Sequence, residues 1–271
     1  MLIRNFRRYK RDYLPTAFVE SILKLYKDKT ELKGVAGKEI EYLASKELLN
    51  ATYGMCVTDI CRIESKFDTE HNEWCSEHDE IDFMKDIDKY NTSKQRFLSY
   101  AWGVWVTAYA RRNLWSGILE FREHYLYSDT DSIKVIHVNE HLNYLAKYNQ
   151  NVIFKLEKAM QHHTLSMDYV SPRSIDGVEH TIGLWDNETP IPYATFKTLG
   201  AKRYMVRYHD GKESLTISGL NKKITIPYLQ SKYSDIFDAF KEDMYIPKGF
   251  TGKNIHTYID ESHDGYVVDY L

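Results

Sequence analysis

The sequence predicts an α+β fold, in which helices pack against a small antiparallel sheet. Apolar residues recur at helical spacing over 13–53 and 97–121. An apolar run, a polar turn and a second apolar run follow from 125 to 138, as in a hairpin. The chain has 271 residues, 43% hydrophobic and 28% charged, so it is long enough to bury a core and has an ordinary globular composition.

The first half of the chain is predicted to be helical, with one polar interruption. Helices are expected at 17–26 and 38–53, separated by a turn with two glycines. Their apolar stripes are Phe18, Ile22 and Leu25, then Ile40, Leu43, Leu48 and Leu49. Residues 59–88 are acidic with little periodicity, which is typical of a surface insertion. Residues 97–121 are apolar almost all round, so we expect a buried helix there. Its aromatic residues include Trp102, Trp105, Tyr109 and Trp115.

The second half is predicted to be mixed. A hairpin is expected with strands at 125–127 and 132–138 around a polar tip at 128–131. The sequence then predicts, in order, a helix at 141–163, loops and short strands at 167–192, strand material at 193–208 split by Gly200, strands at 215–218 and 224–226, a helix at 233–242 and a terminal hairpin.

The net charge of −3 does not by itself indicate a nucleic-acid-binding protein, but the charges are unevenly distributed. Residues 1–11 contain five bases and no acid, and residues 191–250 contain ten bases against six acids. Residues 56–90 contain eleven acids against four bases. Two basic ends would suit a DNA partner, and an ordinary solvated surface has the same pattern.

The cysteines and the hydropathy pattern exclude several classes of protein. Cys56, Cys61 and Cys75 form no CxxC pair, so we expect free, buried or half-buried thiols in a reducing compartment. The sequence contains no apolar run of 18 residues, so no membrane span is predicted.

The tip of the predicted hairpin, from Tyr127 to Ser132, has the sequence YSDTDS. In a turn between strands, one acid can point into a cleft while the other supports the loop. Nucleotidyl transfer needs carboxylates of this kind, because two Mg²⁺ ions about 3.5–4 Å apart activate the attacking hydroxyl and neutralise the leaving group. An isolated DxD occurs in many turns; the preceding tyrosine and the apolar strand that follows make this motif more specific.

A second motif, KxxxNATYG, runs from Lys46 to Gly54. On a helix Lys46, Asn50 and Tyr53 share one face, where a lysine can meet a triphosphate and the other two a sugar and a base. An amphipathic helix with Gly54 as its C-terminal cap is the alternative interpretation.

A third motif is KRY, from Lys202 to Tyr204. On a strand Lys202 and Tyr204 would face the same side, where they can hold a phosphate and a sugar near a primer end. The motif carries weight only because it lies downstream of the other two.

In this order the three motifs resemble motif B (KxxxNSxYG), motif C (YxDTDS) and the KxY motif of family-B DNA polymerases, and the spacing resembles the protein-primed branch of phages, viruses and linear plasmids. The resemblance implies a polymerase palm, an antiparallel sheet packed on helices, with helical fingers and a small mixed or β thumb. It predicts partial fingers at 1–54, an insertion at 55–95, the palm at 96–209 and the thumb at 210–271.

The resemblance also implies roles for individual residues. Asp131 would be the catalytic, metal-binding carboxylate, with Asp129 contributing less directly. The nucleotide-binding residues would be Lys46, Asn50, Tyr53 and Gly54, and the primer- or DNA-binding residues Lys202, Tyr204, Thr130 and Ser132. Ala51 replaces the serine of motif B, a change that we expect to be tolerated. Mg²⁺ and dNTPs would be cofactor and substrates, DNA primer-template the main partner, and a terminal protein a possible primer.

The principal departure is that motif A (DxxSLYP) and the exonuclease, which precede motif B in the family, are not found in the 45 residues before Lys46. A single motif C carboxylate cannot hold two Mg²⁺ ions. We therefore expect little or no polymerase activity from the isolated chain, and an amino-terminal polymerase–exonuclease half as a partner.

Two other functions compete with this interpretation. A non-catalytic DNA-binding module would retain the surface without the chemistry. An unrelated metal-dependent hydrolase would leave motif B and KxY unexplained. The resemblance further implies location in the host cytoplasm, or in mitochondria for a linear plasmid, and no membrane partner.

Overall fold

A computed structural model describes residues 12–61, 64–77, 80–94, 97–189, 191–250, 259–260 and 265–267. As predicted, the fold is α+β, with many helices and small antiparallel sheets. The chain forms two compact units, one from Met1–Leu126 and Ile133–Trp185, the other from Tyr127–Ser132 and Asp186–Leu271. The boundary at 185/186 lies inside the segment predicted as palm, and the division into fingers, insertion, palm and thumb stays a prediction.

The first unit is mainly helical. Its long elements are α1 (Thr16–Glu31), α2 (Glu39–Met55), β1 (Glu64–Asp68), β2 (Glu73–Glu77), α3 (Glu80–Thr92) and α4 (Tyr100–Phe121), and, after the hairpin, α5 (Leu142–His163). The predicted helices at 17–26, 38–53 and 141–163 are confirmed, and α1 extends further than predicted. Among the helices in these ranges, none is long and apolar enough to cross a membrane.

Helix α2 packs against α1, and its residues that are shielded from solvent are spaced three or four apart. These buried or half-buried positions are Tyr42, Ser45, Leu49, Thr52 and Cys56. The predicted apolar stripe is therefore wrong apart from Leu49: Ile40, Leu43 and Leu48 are exposed. Most of the residues shielded from solvent on this helix are small or polar, whereas three of the four aliphatic residues of the predicted stripe are exposed.

The acidic segment 59–88 contains more regular structure than its weak periodicity predicted. Strands β1 and β2 form an antiparallel hairpin in which Phe67 lies opposite Trp74, and α3 follows. The side chains of Trp74 and Met84 are exposed, as expected on a surface.

Helix α4 begins and ends close to the predicted positions, but the prediction that it is buried is wrong. Its buried residues are Gly103, Gly117 and Phe121. The glycines allow close approach: a Cβ atom at Gly103 would overlap Val57, and one at Gly117 would lie 2.9 Å from Trp185. Aromatic residues on the opposite face, including Trp105 and Trp115, are exposed.

The second unit is built on an antiparallel sheet of β5 (Tyr193–Thr198), β6 (Arg203–Tyr208) and β7 (Glu213–Ile217), with β6 central. The sheet packs on α6 (Lys222–Lys232), α7 (Ile236–Ala239) and β8 (Tyr245–Pro247), and β10 (Gly265–Val267) pairs with β8 and with β9 (Ile259–Asp260). Its buried core residues are Met205, Leu215, Ile217, Leu229, Ile236, Phe240, Met244 and Ile246.

Two predictions in the second unit are wrong. Residues 224–226, predicted as a strand, lie in α6, where the Asn221 side chain caps Lys223 N–H at 3.1 Å and Thr225 and Leu229 are buried. The helix predicted at 233–242 is reduced to the single turn α7. The break at Gly200 and the strand at 215–218 are confirmed within a residue or two.

Candidate active site

The hairpin that carries the YSDTDS motif consists of β3 (Tyr125–Asp129) and β4 (Ser132–Val135), hydrogen-bonded neighbours with only Thr130 and Asp131 between them. Thr130 has a positive φ of 56°, which is unusual for a β-branched residue. The Asp131 N–H donates to the Asp129 carbonyl at 2.7 Å, so the chain reverses in a three-residue γ-turn. Strained turns of this type occur preferentially at functional sites.

The carboxylate of Asp129 is held by two donors. Thr130 Oγ1 donates to Asp129 Oδ1 at 2.9 Å, and Lys202 Nζ lies 3.0 Å from the same oxygen. Ser132 Oγ donates to the Asp129 carbonyl at 3.2 Å. The hydroxyls of Thr130 and Ser132, both predicted to contact DNA, thus bond within the turn.

Lys202 makes two contacts to the hairpin, with residues that lie 75 and 73 positions earlier in the chain. Besides the Nζ–Asp129 ion pair, its backbone N–H donates to the Tyr127 hydroxyl at 2.8 Å. The prediction that Lys202 lies on a strand is wrong: it lies in the turn before β6, with φ of 56°. The hydrogen bond and the charge of Asp129 raise the pKa of Lys202, so the ammonium form is favoured.

Three aromatic rings pack beside this ion pair. The Tyr127 ring lies 5.2 Å from Tyr204 and 5.7 Å from Phe196, and Phe196 lies 5.7 Å from Tyr204. Burial is the main cause that raises the pKa of Tyr127, followed in the same direction by the charge of Asp129. The predicted residues Asp129, Lys202 and Tyr204 therefore meet in one cluster, whose centre is Tyr127.

Asp131 differs from Asp129 in its surroundings. Its side chain is exposed. Carboxylate oxygens are the donors that Mg²⁺ prefers, so Asp131 fits a divalent cation by chemistry. Within the described ranges, however, no group of three or more His, Cys, Asp or Glu side chains is placed to hold a metal ion. The donor type fits Mg²⁺, and the donor set that the described residues provide is incomplete.

The motif B residues lie on α2, in the first compact unit, whereas the hairpin tip belongs to the second. Lys46, Asn50 and Tyr53 are exposed and share the face that the sequence predicts. The alternative in which Gly54 caps the helix is wrong, because α2 continues to Met55 and ends at Cys56. Because these three side chains are exposed, they are accessible to a ligand.

The sequence analysis missed a histidine cluster at the base of the hairpin. His141 Nδ1 lies 3.2 Å from Glu120 Oε1, and its Nε2 lies 2.9 Å from His124 Nδ1. The His137 ring lies 4.9 Å from the His124 ring. The pairs Glu120/His124 and His137/His141 are each four residues apart, a spacing that could have indicated the cluster.

The free cysteines agree with the prediction: Cys56 is buried, and Cys61 and Cys75 are half-buried. Burial raises the pKa of the Cys56 thiol, so it stays protonated and unreactive at neutral pH.

Comparison of the chain with protein-family models, with curated proteins and with solved structures finds no match.

Proposed function

We propose that this chain is the carboxy-terminal part of a DNA-directed DNA polymerase that adds dNTPs to a primer 3′-hydroxyl by two-metal nucleotidyl transfer. One observation carries the proposal. Two of the motifs, YSDTDS and KRY, meet through two contacts of Lys202, at 3.0 Å to Asp129 and 2.8 Å to Tyr127. A chance DxD and a chance KxY would have no reason to share one ion pair.

The carboxylates of Asp131 and Asp129 would have different roles in this reaction. Asp131 would hold a Mg²⁺ ion, which when bound neutralises negative charge on the reacting phosphates. Asp129 fixes the position of Lys202 through their ion pair and so shapes the turn that precedes β6. Lys202 and Tyr204 would bind the primer end, the first by charge and the second through its ring and hydroxyl.

The exposed face of α2 would bind the incoming nucleotide. Lys46 supplies a point charge for the triphosphate, and Asn50 and Tyr53, one and two turns further on, supply polar and stacking groups for the sugar and base. The palm, fingers and thumb named in the sequence analysis belong to this proposal.

We propose that the activity needs a second polypeptide segment, because two Mg²⁺ ions require more carboxylates than Asp131 alone provides. The isolated chain would then bind DNA without extending a primer. A non-catalytic DNA-binding module is the second candidate, since it would use the same exposed Lys202 and α2 residues without a metal site.

Both candidate functions require that the isolated chain binds DNA, so a DNA-binding measurement tests them together. Fluorescence anisotropy with a labelled primer-template should show affinity that falls steeply as salt rises, because phosphate contacts release counterions. Lys202→Met should weaken binding about 3- to 10-fold, since one phosphate or sugar contact is lost, by analogy with single contacts worth roughly 1 kcal/mol. Lys212→Met is the matched control, because Lys212 also lies in a turn of the second unit and pairs with an aspartate, at 3.2 Å. Equal effects of the two variants, or no binding at all, would contradict the proposal.

Primer extension with Mg²⁺ and dNTPs separates the two candidates. A polymerase part should extend a primer once the segment with the missing carboxylates is supplied. A binding module should not extend it under any condition.

A further inference from the structure

A chain of hydrogen bonds between ionisable side chains lies at the base of the YSDTDS hairpin, within the first compact unit. His141 Nδ1 lies 3.2 Å from Glu120 Oε1, and His141 Nε2 lies 2.9 Å from His124 Nδ1. The side chain of His141 is only 14% exposed, and its ring packs on the ring of Phe121 at a centroid distance of 4.4 Å. The central histidine of the chain is therefore held on three sides.

The carboxylate of Glu120 determines where the protons of this chain lie. An ionised carboxylate only accepts hydrogen bonds, so His141 Nδ1 donates to it. In a neutral imidazole the other ring nitrogen is then an acceptor, which makes His141 Nε2 the acceptor for His124. His124 Nδ1 therefore carries the proton of the second bond, and donation runs from His124 to His141 to Glu120.

This arrangement can take up one additional proton but not two. A first proton can go to His124 Nε2, which lies outside the chain, and both hydrogen bonds remain. A second proton would go to His141 Nε2, and two N–H groups would then face each other at 2.9 Å. Two positively charged rings at this distance also repel each other. Full protonation is therefore incompatible with the bond between His124 and His141.

The neighbouring charged groups do not remove this conflict. The His137 ring lies 4.9 Å from the His124 ring and adds a third group that becomes positive in acid. Glu140 lies 3.7 Å from His137 and acts on that histidine, while Arg122 and Glu123 are exposed and of opposite sign. Among the residues that the structure describes, no group of three His, Cys, Asp or Glu side chains is placed to hold a metal ion. The chemistry that these positions support is therefore protonation.

The pair lies where the two ends of the hairpin meet. His124 directly precedes β3, and Ile136 directly follows β4. The Ile136 N–H donates to the His124 carbonyl at 2.9 Å. His124 thus takes part in the hairpin through its backbone and in the hydrogen-bond chain through its ring, so loss of the ring contact acts on the residue that closes the hairpin.

We propose that the bond between His124 and His141 is a pH-sensitive latch, which closes the base of the YSDTDS hairpin at neutral pH and opens in mild acid. Histidine is the side chain whose charge ordinarily changes between about pH 5 and pH 8. The open form takes up a proton on each ring, whereas the closed form takes up one. The closed form therefore loses stability as the pH falls. This inference goes beyond the proposed function and does not depend on it.

Amide hydrogen exchange at Ile136, followed by NMR, tests the latch directly. After correction for the intrinsic exchange rate, the protection factor of its N–H in the wild-type chain should fall about 5-fold or more from pH 7.5 to pH 5.0, the change that corresponds to loss of one hydrogen bond. The Ile182 N–H, which donates to the Val170 carbonyl at 2.9 Å in the same unit, is the reference amide and should keep its protection.

Two matched variants assign the effect to the histidine pair. His124→Asn removes one of the two facing rings, so the Ile136 protection factor should become the same at both pH values. His137→Asn makes the same change in a ring that lies beside the chain but outside its hydrogen bonds, and it should keep the wild-type pH dependence. Asparagine tolerates the positive φ of 53° at this position.

Each remaining outcome would overturn the proposal. Wild-type protection that does not depend on pH, or a His124→Asn variant that keeps the dependence, leaves no role for the pair. Loss of the dependence in His137→Asn would assign it to that ring instead. If His124→Asn does not fold, the imidazole ¹⁵N chemical shifts of the wild-type chain decide. Protons on Nδ1 of both His124 and His141 at pH 7.5 support the latch, and a neutral His141 with its proton on Nε2 contradicts it.

Discussion

At the scale of single residues, the turn at the hairpin tip places the carboxylates of Asp129 and Asp131 in different surroundings, although they are only two positions apart. An extended strand would direct Asp129 and Asp131 to the same side. The γ-turn at Thr130 breaks that register, so that Asp129 bonds Lys202 and Thr130 while Asp131 faces solvent. The sequence identified the acids and the lysine; it could not identify the Tyr127 hydroxyl as the acceptor for the Lys202 backbone N–H, because that contact depends on a fold in which residues 75 positions apart meet.

The ion pair between Lys202 and Asp129 predicts a loss of stability in alkali. The folded-state pKa of Lys202 is raised above its ordinary value of 10.5. Its contribution is therefore fully present below pH 10.5 and is lost as the pH rises through the higher folded-state pKa. For a pair this exposed the contribution should be small, roughly 0.2–1 kcal/mol.

Urea denaturation between pH 8 and about pH 12 measures this effect. The difference in free energy of unfolding between wild type and Lys202→Met should be constant up to about pH 10 and should shrink above it. A difference that grows with pH would show that the ammonium form is not the stabilising one. Lys212→Met again controls for the loss of one positive charge from the second unit.

At the scale of elements, α4 shows how packing can reverse an expectation drawn from composition. An all-apolar helix is normally buried, yet α4 packs in its own unit through Gly103, Gly117 and Phe121. The glycines permit a contact too close for any larger residue, and the large rings remain on the other face. The sequence could predict that residues 100–121 form a helix. It could not predict which face of the helix is buried, because that depends on which neighbouring segment packs closely against it.

The glycine contact gives a stability prediction. Gly103→Val should destabilise the first unit by about 1–3 kcal/mol, because the new side chain overlaps Val57 in a packed contact. Ala108→Val, on the exposed face of the same helix, should change stability by less than about 0.5 kcal/mol. Thermal unfolding followed by circular dichroism compares the two, and a Tm for Gly103→Val equal to that of Ala108→Val would show that the two segments do not pack as described.

Helix α6 is a second case in which tertiary packing decided the element. Ile224, Thr225 and Ile226 are β-branched residues that favour strands in isolation. The cap at Asn221 and burial of Thr225, whose hydroxyl donates to the Phe250 carbonyl at 2.8 Å, favour the helix. The partner of Thr225 lies 25 residues later, so no local pattern could have indicated it.

At the scale of the whole molecule, each unit has its own stabilising contacts. In the second unit Arg207 on β6 bonds Glu213 at 2.7 Å and Asp235 at 2.6 Å, and it lies over the Phe237 ring at 5.0 Å. In this way one side chain links the sheet to the segment that begins α7. The first unit has a separate buried cluster that includes Leu23, Met160 and Val170.

The Arg207 network predicts acid sensitivity of the second unit. Hydrogen bonding to Arg207 holds the pKa of Asp235 below its ordinary value of 3.8. The stabilisation is thus present above pH 3.8 and is lost as the pH falls through the lower folded-state pKa. Arg207→Met should lower the Tm at pH 7 by more than Arg173→Met does, because Arg173 belongs to an exposed ion pair. The difference in Tm between wild type and Arg207→Met should become smaller below about pH 3.8. If this difference in Tm does not change with pH, the stabilising effect of Arg207 comes from its packing on Phe237 and not from the ion pair.

The central claim is that Asp131 supplies a metal ligand to a polymerase site that another segment completes. The most direct measurement is primer extension, with Mg²⁺ and dNTPs, by this chain combined with the polypeptide encoded directly upstream. We predict extension by the combination, none by this chain alone, and loss of at least about 100-fold in rate for Asp131→Asn, since a metal-stabilised charge is worth several kcal/mol. Asp210→Asn, in a turn of the second unit, should have no effect. Unchanged extension by Asp131→Asn, or clear extension by the isolated wild-type chain, would contradict the account.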